Sequence, residues 1–130
     1  MGVKQLVRGV SVAMVSFGLV LGAAAQASAN DQSWRLTNAS GTVVGTASFD
    51  DAANRVYVND PYLNDRNVRL DVWREGNKGG THVRCRDDVA GDGRVSCALI
   101  WVEDTNLRGE LCEMSGSTPT RCTPVKEFWS

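Results

Sequence analysis

From Trp34 onward the chain alternates apolar and polar residues in short runs, broken by Gly, Asn, Asp and Pro, and no run keeps helical spacing for three turns. The pattern predicts strands. Trp34-Arg35-Leu36-Thr37 alternates, Asn38 to Gly41 turns, and Thr42–Phe49 follows with Val43, Gly45, Ala47 and Phe49 on one face. After a turn over Asp50 to Asn54, Arg55–Val58 alternates and stops at Asn59-Asp60-Pro61, where proline withdraws a ladder donor. Tyr62 to Arg66 reads as loop. The cleanest alternation, Val68–Arg74, turns Val68, Leu70 and Val72 inward and Arg69, Asp71 and Trp73 outward.

Gly76 to Gly80 closes that strand, and Thr81–Arg86 forms the next with Val83 and Cys85 inward. Val95–Val102 is apolar on both faces, the signature of a central strand. Arg108–Met114 and a last extended piece, Cys122–Trp129, complete the set. About eight short strands at this spacing place the chain in the all-β class, as a small antiparallel β-sandwich or barrel. Trp34 and Trp101 share parity with aliphatic neighbours and belong to the core. Alternation says which residues face inward but not which strands are neighbours, so sandwich and barrel both stand.

The N-terminus has a different pattern. Lys4 and Arg8 precede an uncharged, mostly apolar run from Val10 to Ala25, followed by the small residues Ala27-Ser28-Ala29. This is the layout of a secretory signal peptide over residues 1–29, leaving residues 30–130 as a single secreted domain. The leader carries two of the fourteen basic residues and none of the fifteen acidic ones, so cleavage shifts the formal charge from −1 to −3. Bulk charge therefore argues against a nucleic-acid partner. With no second apolar run near the ~20 residues that span a bilayer, the mature chain is expected in solution outside the cell, as a monomer.

An exported chain keeps paired thiols oxidised, and Cys85, Cys97, Cys112 and Cys122 all lie in the mature segment. Four cysteines allow three connectivities. Cys85 and Cys97 are symmetric about Gly91 in a turn-rich run, and Cys112 and Cys122 about Ser117, so hairpin geometry favours Cys85 with Cys97 and Cys112 with Cys122. Loops of this length contribute roughly 3 kcal/mol per bridge. A zinc site would need C-x-x-C pairs or several histidines, and the chain has neither, so no metal or other cofactor is expected.

The single histidine, His82, reads as a solvated strand residue on the side of Arg84 and Arg86. Triad chemistry lacks its sequence context here. The enzyme alternative is a small hydrolase such as a ribonuclease, using His82 with an arginine and Glu110 or Glu113. Asp87-Asp88-Val89-Ala90-Gly91-Asp92-Gly93 suggests a calcium loop but lacks the D-x-D-x-D-G spacing and closing glutamate, and Asp-Gly already suits a turn. Asn38-Ala39-Ser40 fits a glycosylation acceptor and equally a turn.

A recognition face offers a second kind of function. If the strands at Arg55–Val58 and Val68–Arg74 pair, Arg55, Tyr57, Arg69 and Trp73 share a surface composed of the residue types enriched at binding hot spots. Trp73 and Tyr57 could instead be covered by a loop or by Phe128-Trp129. Gln32-Ser33-Trp34-Arg35 resembles the Trp-Arg segment of small secreted α-amylase inhibitors of actinomycetes, which are also all-β with two disulfides. In those proteins a cysteine precedes the motif and an aromatic follows it; here Leu36 follows. The resemblance implies insertion of Trp34 and Arg35 into a target enzyme, whereas strand parity turns Trp34 inward. The expectation is a non-catalytic binding module for an extracellular protein or polysaccharide, in one form an enzyme inhibitor, with a structural or cell-surface role as the alternative.

Overall fold

The computed structural model describes residues 30–130, so the leader read over residues 1–29 lies outside the described residues. Nine strands form: β1 (Gln32–Thr37), β2 (Val43–Asp50), β3 (Arg55–Asn59), β4 (Asn67–Arg74), β5 (His82–Asp87), β6 (Arg94–Ala98), β7 (Asn106–Ser115), β8 (Thr118–Cys122) and β9 (Lys126–Trp129). No helix occurs among the described residues. The strands make two antiparallel sheets, one in the order β1-β2-β3-β6 and the other β5-β4-β7-β8, with β9 also on β7. Their inner faces share one buried cluster, including Trp34, Val44, Phe49, Val56, Val58, Leu70, Val72, Leu107, Leu111 and Phe128. Of the two architectures compatible with the alternation, the chain adopts the sandwich.

Trp34 shows how closely the two layers interlock. Its indole lies over Gly109 of the opposite sheet, Nε1 donates to the Gly109 carbonyl at 3.1 Å, and the ring meets Phe128 edge-on at 5.4 Å. A Cβ at Gly109 would sit 2.5 Å from Trp34 Cζ2, so glycine is the only residue that leaves room for the ring. Without that hydrogen bond the indole N–H would be buried with no acceptor.

Three readings of the alternation change. Between β1 and β2 the register slips by one residue, Leu36 facing Gly45 but Thr37 facing Val43. The bulge turns Val44 inward and leaves Val43 half-buried, where strict alternation had reversed them. The run after Gly93 is an edge strand rather than a central one: it ends at Ala98, and Ile100 and Val102 are exposed. Its second apolar face lies beyond the strand, where Leu99 N is held by the Asn54 carbonyl and Asn54 Nδ2 binds the Trp101 carbonyl. Finally, Cys122–Trp129 is two strands' worth of chain. β8 ends at Cys122 and β9 starts at Lys126, laid end to end along one flank of β7 while β4 lines the other. At the break Thr123 stands in for the ladder: its N donates to the Leu111 carbonyl and its Oγ1 accepts from Leu111 N.

Both expected disulfides form, Cys85–Cys97 and Cys112–Cys122. Cys112 and Cys122 face each other across the β7–β8 hairpin, as the spacing suggests. Cys85 and Cys97 do not close a hairpin, because β5 and β6 belong to different sheets; this bond staples the layers together along one side of the sandwich. The two bonds fit a chain that matures in an oxidising compartment.

Candidate functional site

β3 and β4 lie in different sheets, so Arg55, Tyr57, Arg69 and Trp73 do not share a face. Arg55 and Tyr57 lie on the outside of the four-stranded sheet, and Arg69 and Trp73 on the outside of the five-stranded sheet. The seven-residue connection from Asp60 to Arg66 carries the chain from one layer to the other, a step that strand parity cannot register.

On the four-stranded sheet, Tyr57 stands in a row with Ser33, Ser48 and Ser96 from the three other strands. The next row holds Arg35, Thr46, Asn59 and Arg94. Tyr57 is half-buried among these small neighbours, and the Arg94 guanidinium lies over its ring at 4.1 Å from the ring centre. A shallow depression opens on each side. One, of about 360 Å³, is lined by Thr46, Ala47, Ser48, Tyr57, Val58, Asn59, Gly93 and Arg94. The other, of about 400 Å³, is lined by Asp31, Gln32, Ser33, Phe49 and Asp50, with Ser48, Tyr57 and Arg94 common to both. Together they make a trough across all four strands, roughly 14 Å at the usual strand spacing. Arg55 lies beside it, its Nη2 donating to Ser96 Oγ at 2.9 Å.

Arg94 and Ser48 were not among the residues singled out from the sequence. Arg94 and Ser96 do share parity opposite to Val95 and Cys97, a signal that the sequence carries, but only the β3–β6 pairing sets Arg94 beside Tyr57.

The outside of the five-stranded sheet is built differently. Trp73, expected as an exposed hot spot, is only 4 % exposed. His82 lies directly across the β4–β5 ladder and stacks on its ring at 5.4 Å, and Lys78 Nζ lies 5.1 Å from the ring centre. His82 is not a solvated strand residue either, since its side chain is 11 % exposed. Its Nδ1 faces Asp71 Oδ1 at 2.7 Å and its Nε2 faces the Lys78 carbonyl, so both ring nitrogens are engaged in holding the β4–β5 loop. Glu110 lies across from Asp71 on β7, but Glu113 is opposite Val68, five residues along β4 from the partner of His82, about 16 Å at strand rise. Glu113 is buried and held by Arg66 Nη1 at 2.9 Å and Asn64 Nδ2 at 3.0 Å.

The remaining candidate motifs are absorbed by turns. Asp87 accepts from Asp60 N and Val89 N, Asp88 pairs with Arg86, and Gly91 and Gly93 take positive φ, so the carboxylates of this run secure the β5–β6 crossing. Asn38 Oδ1 accepts from Ser40 N, Ser40 Oγ and Thr42 N, which closes the β1–β2 turn with Gly41 at φ +83°. Among the described residues, the one trio of Cys, Asp, Glu or His groups close enough to share an ion is Glu110 with Cys112 and Cys122, and both sulfurs belong to the disulfide. Trp34, at 2 % exposure, is a core residue and cannot enter another protein's cleft while the sandwich is folded. The molecule is thus a disulfide-stapled β-sandwich with a shallow trough of mixed polar and apolar lining on one face; no protein family, curated protein or solved structure matches this chain.

Proposed function

We propose that the protein is a secreted, non-catalytic binding module that holds a polysaccharide chain in the trough around Tyr57. The observation that carries this reading is the lining: one aromatic ring between two contiguous depressions edged by hydroxyl, amide, carboxylate and guanidinium groups. A sugar chain is amphipathic in the same way, with apolar ring faces and a rim of hydroxyls that both donate and accept. Sites for compact apolar molecules are deeper and more enclosed. The trough is open and crosses the whole sheet, which suits a run of sugar rings better than a single one.

Binding is favoured over catalysis by the state of His82, whose two ring nitrogens are both engaged inside the fold. The export reading draws support from the leader-like residues 1–29 and from the two disulfides. Retention of the mature domain on a panel of insoluble and soluble polysaccharides tests the proposal. Tyr57→Ala and Arg94→Ala should lose retention on the polysaccharide that holds the native protein, while His82→Ala keeps it. Equal retention of Tyr57→Ala and native protein would refute the site, and no retention on any polysaccharide would refute the ligand class.

A further inference from the structure

The outside of the five-stranded sheet carries a group of arginines that the trough does not involve. Arg69, in the middle of β4, is directly opposite Arg86 of β5, and Arg84 lies two residues along on the same side of β5. Like charges directly opposed across a strand pair are destabilising. Two of the three are offset: Arg86 Nε pairs with Asp88, and Arg84 Nε lies 3.7 Å from Asp71 Oδ1, although the Arg84 side chain is 59 % exposed. Arg69 is not offset. Among the described residues it has no hydrogen-bond or ion-pair partner, and its Nε is buried from solvent with no acceptor. Its neighbour on the other side, Cys112, is bonded to Cys122 and brings no charge.

A buried guanidinium N–H without an acceptor costs the desolvation of a charged donor, and the opposed arginine adds to that cost. An anion bound among the three guanidinium groups offsets the like-charge cost, and Arg69, half-buried as a whole, has Nη groups without a partner among the described residues to donate to it. We propose that Arg69, Arg84 and Arg86 form an oxyanion site that takes a sulfate or phosphate group, with Arg69 as its central donor. Guanidinium groups present parallel N–H pairs that match oxyanions. Three of them set side by side on one sheet face offer more N–H pairs than a planar carboxylate with two oxygens can use, and suit a tetrahedral group with three free oxygens. The acidic groups on this face, Asp71, Asp88 and Glu110, limit the site to this one cluster, and the net charge of −3 after leader removal makes the attraction local rather than global.

The test is calorimetric titration of the mature domain with sodium phosphate, sodium sulfate and a sulfated disaccharide, at ionic strength held constant with chloride. Saturable binding is expected for the native protein. Arg69→Lys keeps the charge but loses the planar fork, and should weaken binding about tenfold. Arg86→Gln should weaken it comparably, and Tyr57→Ala should leave it unchanged, which separates this site from the trough. Tighter binding of the sulfated disaccharide than of either inorganic anion identifies a glycan ester as the source; equal affinities identify the free anion. Heats no larger than the chloride control, or Arg69→Lys binding like the native protein, overturn the proposal. If circular dichroism shows that Arg69→Lys is not folded, unchanged binding by Arg86→Gln, at the sheet edge, overturns it.

Discussion

Asp60 offers the sharpest quantitative test of how this sandwich is put together. It follows β3, is 1 % exposed, and lies where the β3–β4 and β5–β6 crossings are tied together, its backbone N donating to Asp87 Oδ2 at 2.9 Å and its carbonyl accepting from Gly91 N at 2.9 Å. Of its carboxylate oxygens, Oδ1 accepts a 3.3 Å bond from Tyr62 N, while Oδ2 is buried with no partner. Burial raises the Asp60 pKa above its ordinary value; the Tyr62 N–H works in the opposite direction, and the negative charges of Asp87 and Glu113 raise it further. Because the folded pKa exceeds the unfolded one, the native state holds this proton more tightly. Its stabilising contribution is fully present below the unfolded value near pH 4 and is lost as pH rises through the folded value.

Asp60→Asn replaces the carboxyl with a neutral isostere. The amide oxygen keeps the Tyr62 bond, and an NH₂ group takes the place of the orphan oxygen, facing a region made negative by Asp87 and Glu113. Leaving a buried group short of a partner costs about 1–3 kcal/mol and more when it is charged, so replacing the carboxylate by a neutral amide lowers that cost without abolishing it. The variant should therefore gain roughly 1–2 kcal/mol at pH 7, or about 5–10 °C in melting temperature for a domain of this size, and little at pH 3. Urea denaturation of native protein and variant at both pH values measures the difference. A variant less stable than the native protein at pH 7, or a gain of the same size at pH 3, would refute the reasoning.

Two further predictions concern the core and the staples. Trp34→Ala removes the largest inter-sheet side chain together with its bond to Gly109 and should cost about 3–5 kcal/mol by denaturant titration, a large share of the ~5–15 kcal/mol typical of such domains; a loss below 1 kcal/mol would show that the indole is not core. Replacing either cysteine pair by serine should cost roughly 3 kcal/mol, since the loops are of similar length, separations of 12 and 10 residues. Peptide mapping without reductant should recover Cys85 with Cys97 and Cys112 with Cys122, and a Cys85–Cys112 peptide would contradict the fold.

Most of the strands could be read from the chain because alternation follows from local geometry: successive side chains in an extended backbone point to opposite faces whatever lies beyond them. Val68 to Trp73 illustrates this, each residue lying on the side its parity assigns. Val43 and Val44 mark the limit, since a bulge inserts one residue and parity shifts behind it. The cysteine spacing led to the right pairs, yet it implied a hairpin for Cys85 and Cys97 where the actual bond crosses between sheets.

The candidate site was legible only in part. Tyr57 and Arg55 could be found as outward hot-spot residues, but Arg94 and Ser48 come to them through the pairing of β3 with β6 and β2. Trp73 reads outward by the same parity, and it is outward; what hides it is His82 across the ladder and Lys78 in the following loop. The amino-acid order by itself determined the all-β class, the inward faces and the cysteine pairs, because these depend on the repeat of an extended chain and on short loop closures. Which strands became neighbours, and so which outward residues share a face, was decided by the tertiary structure. That choice depends on the long-range burial of two apolar faces against each other, an energy that no local stretch of sequence contains.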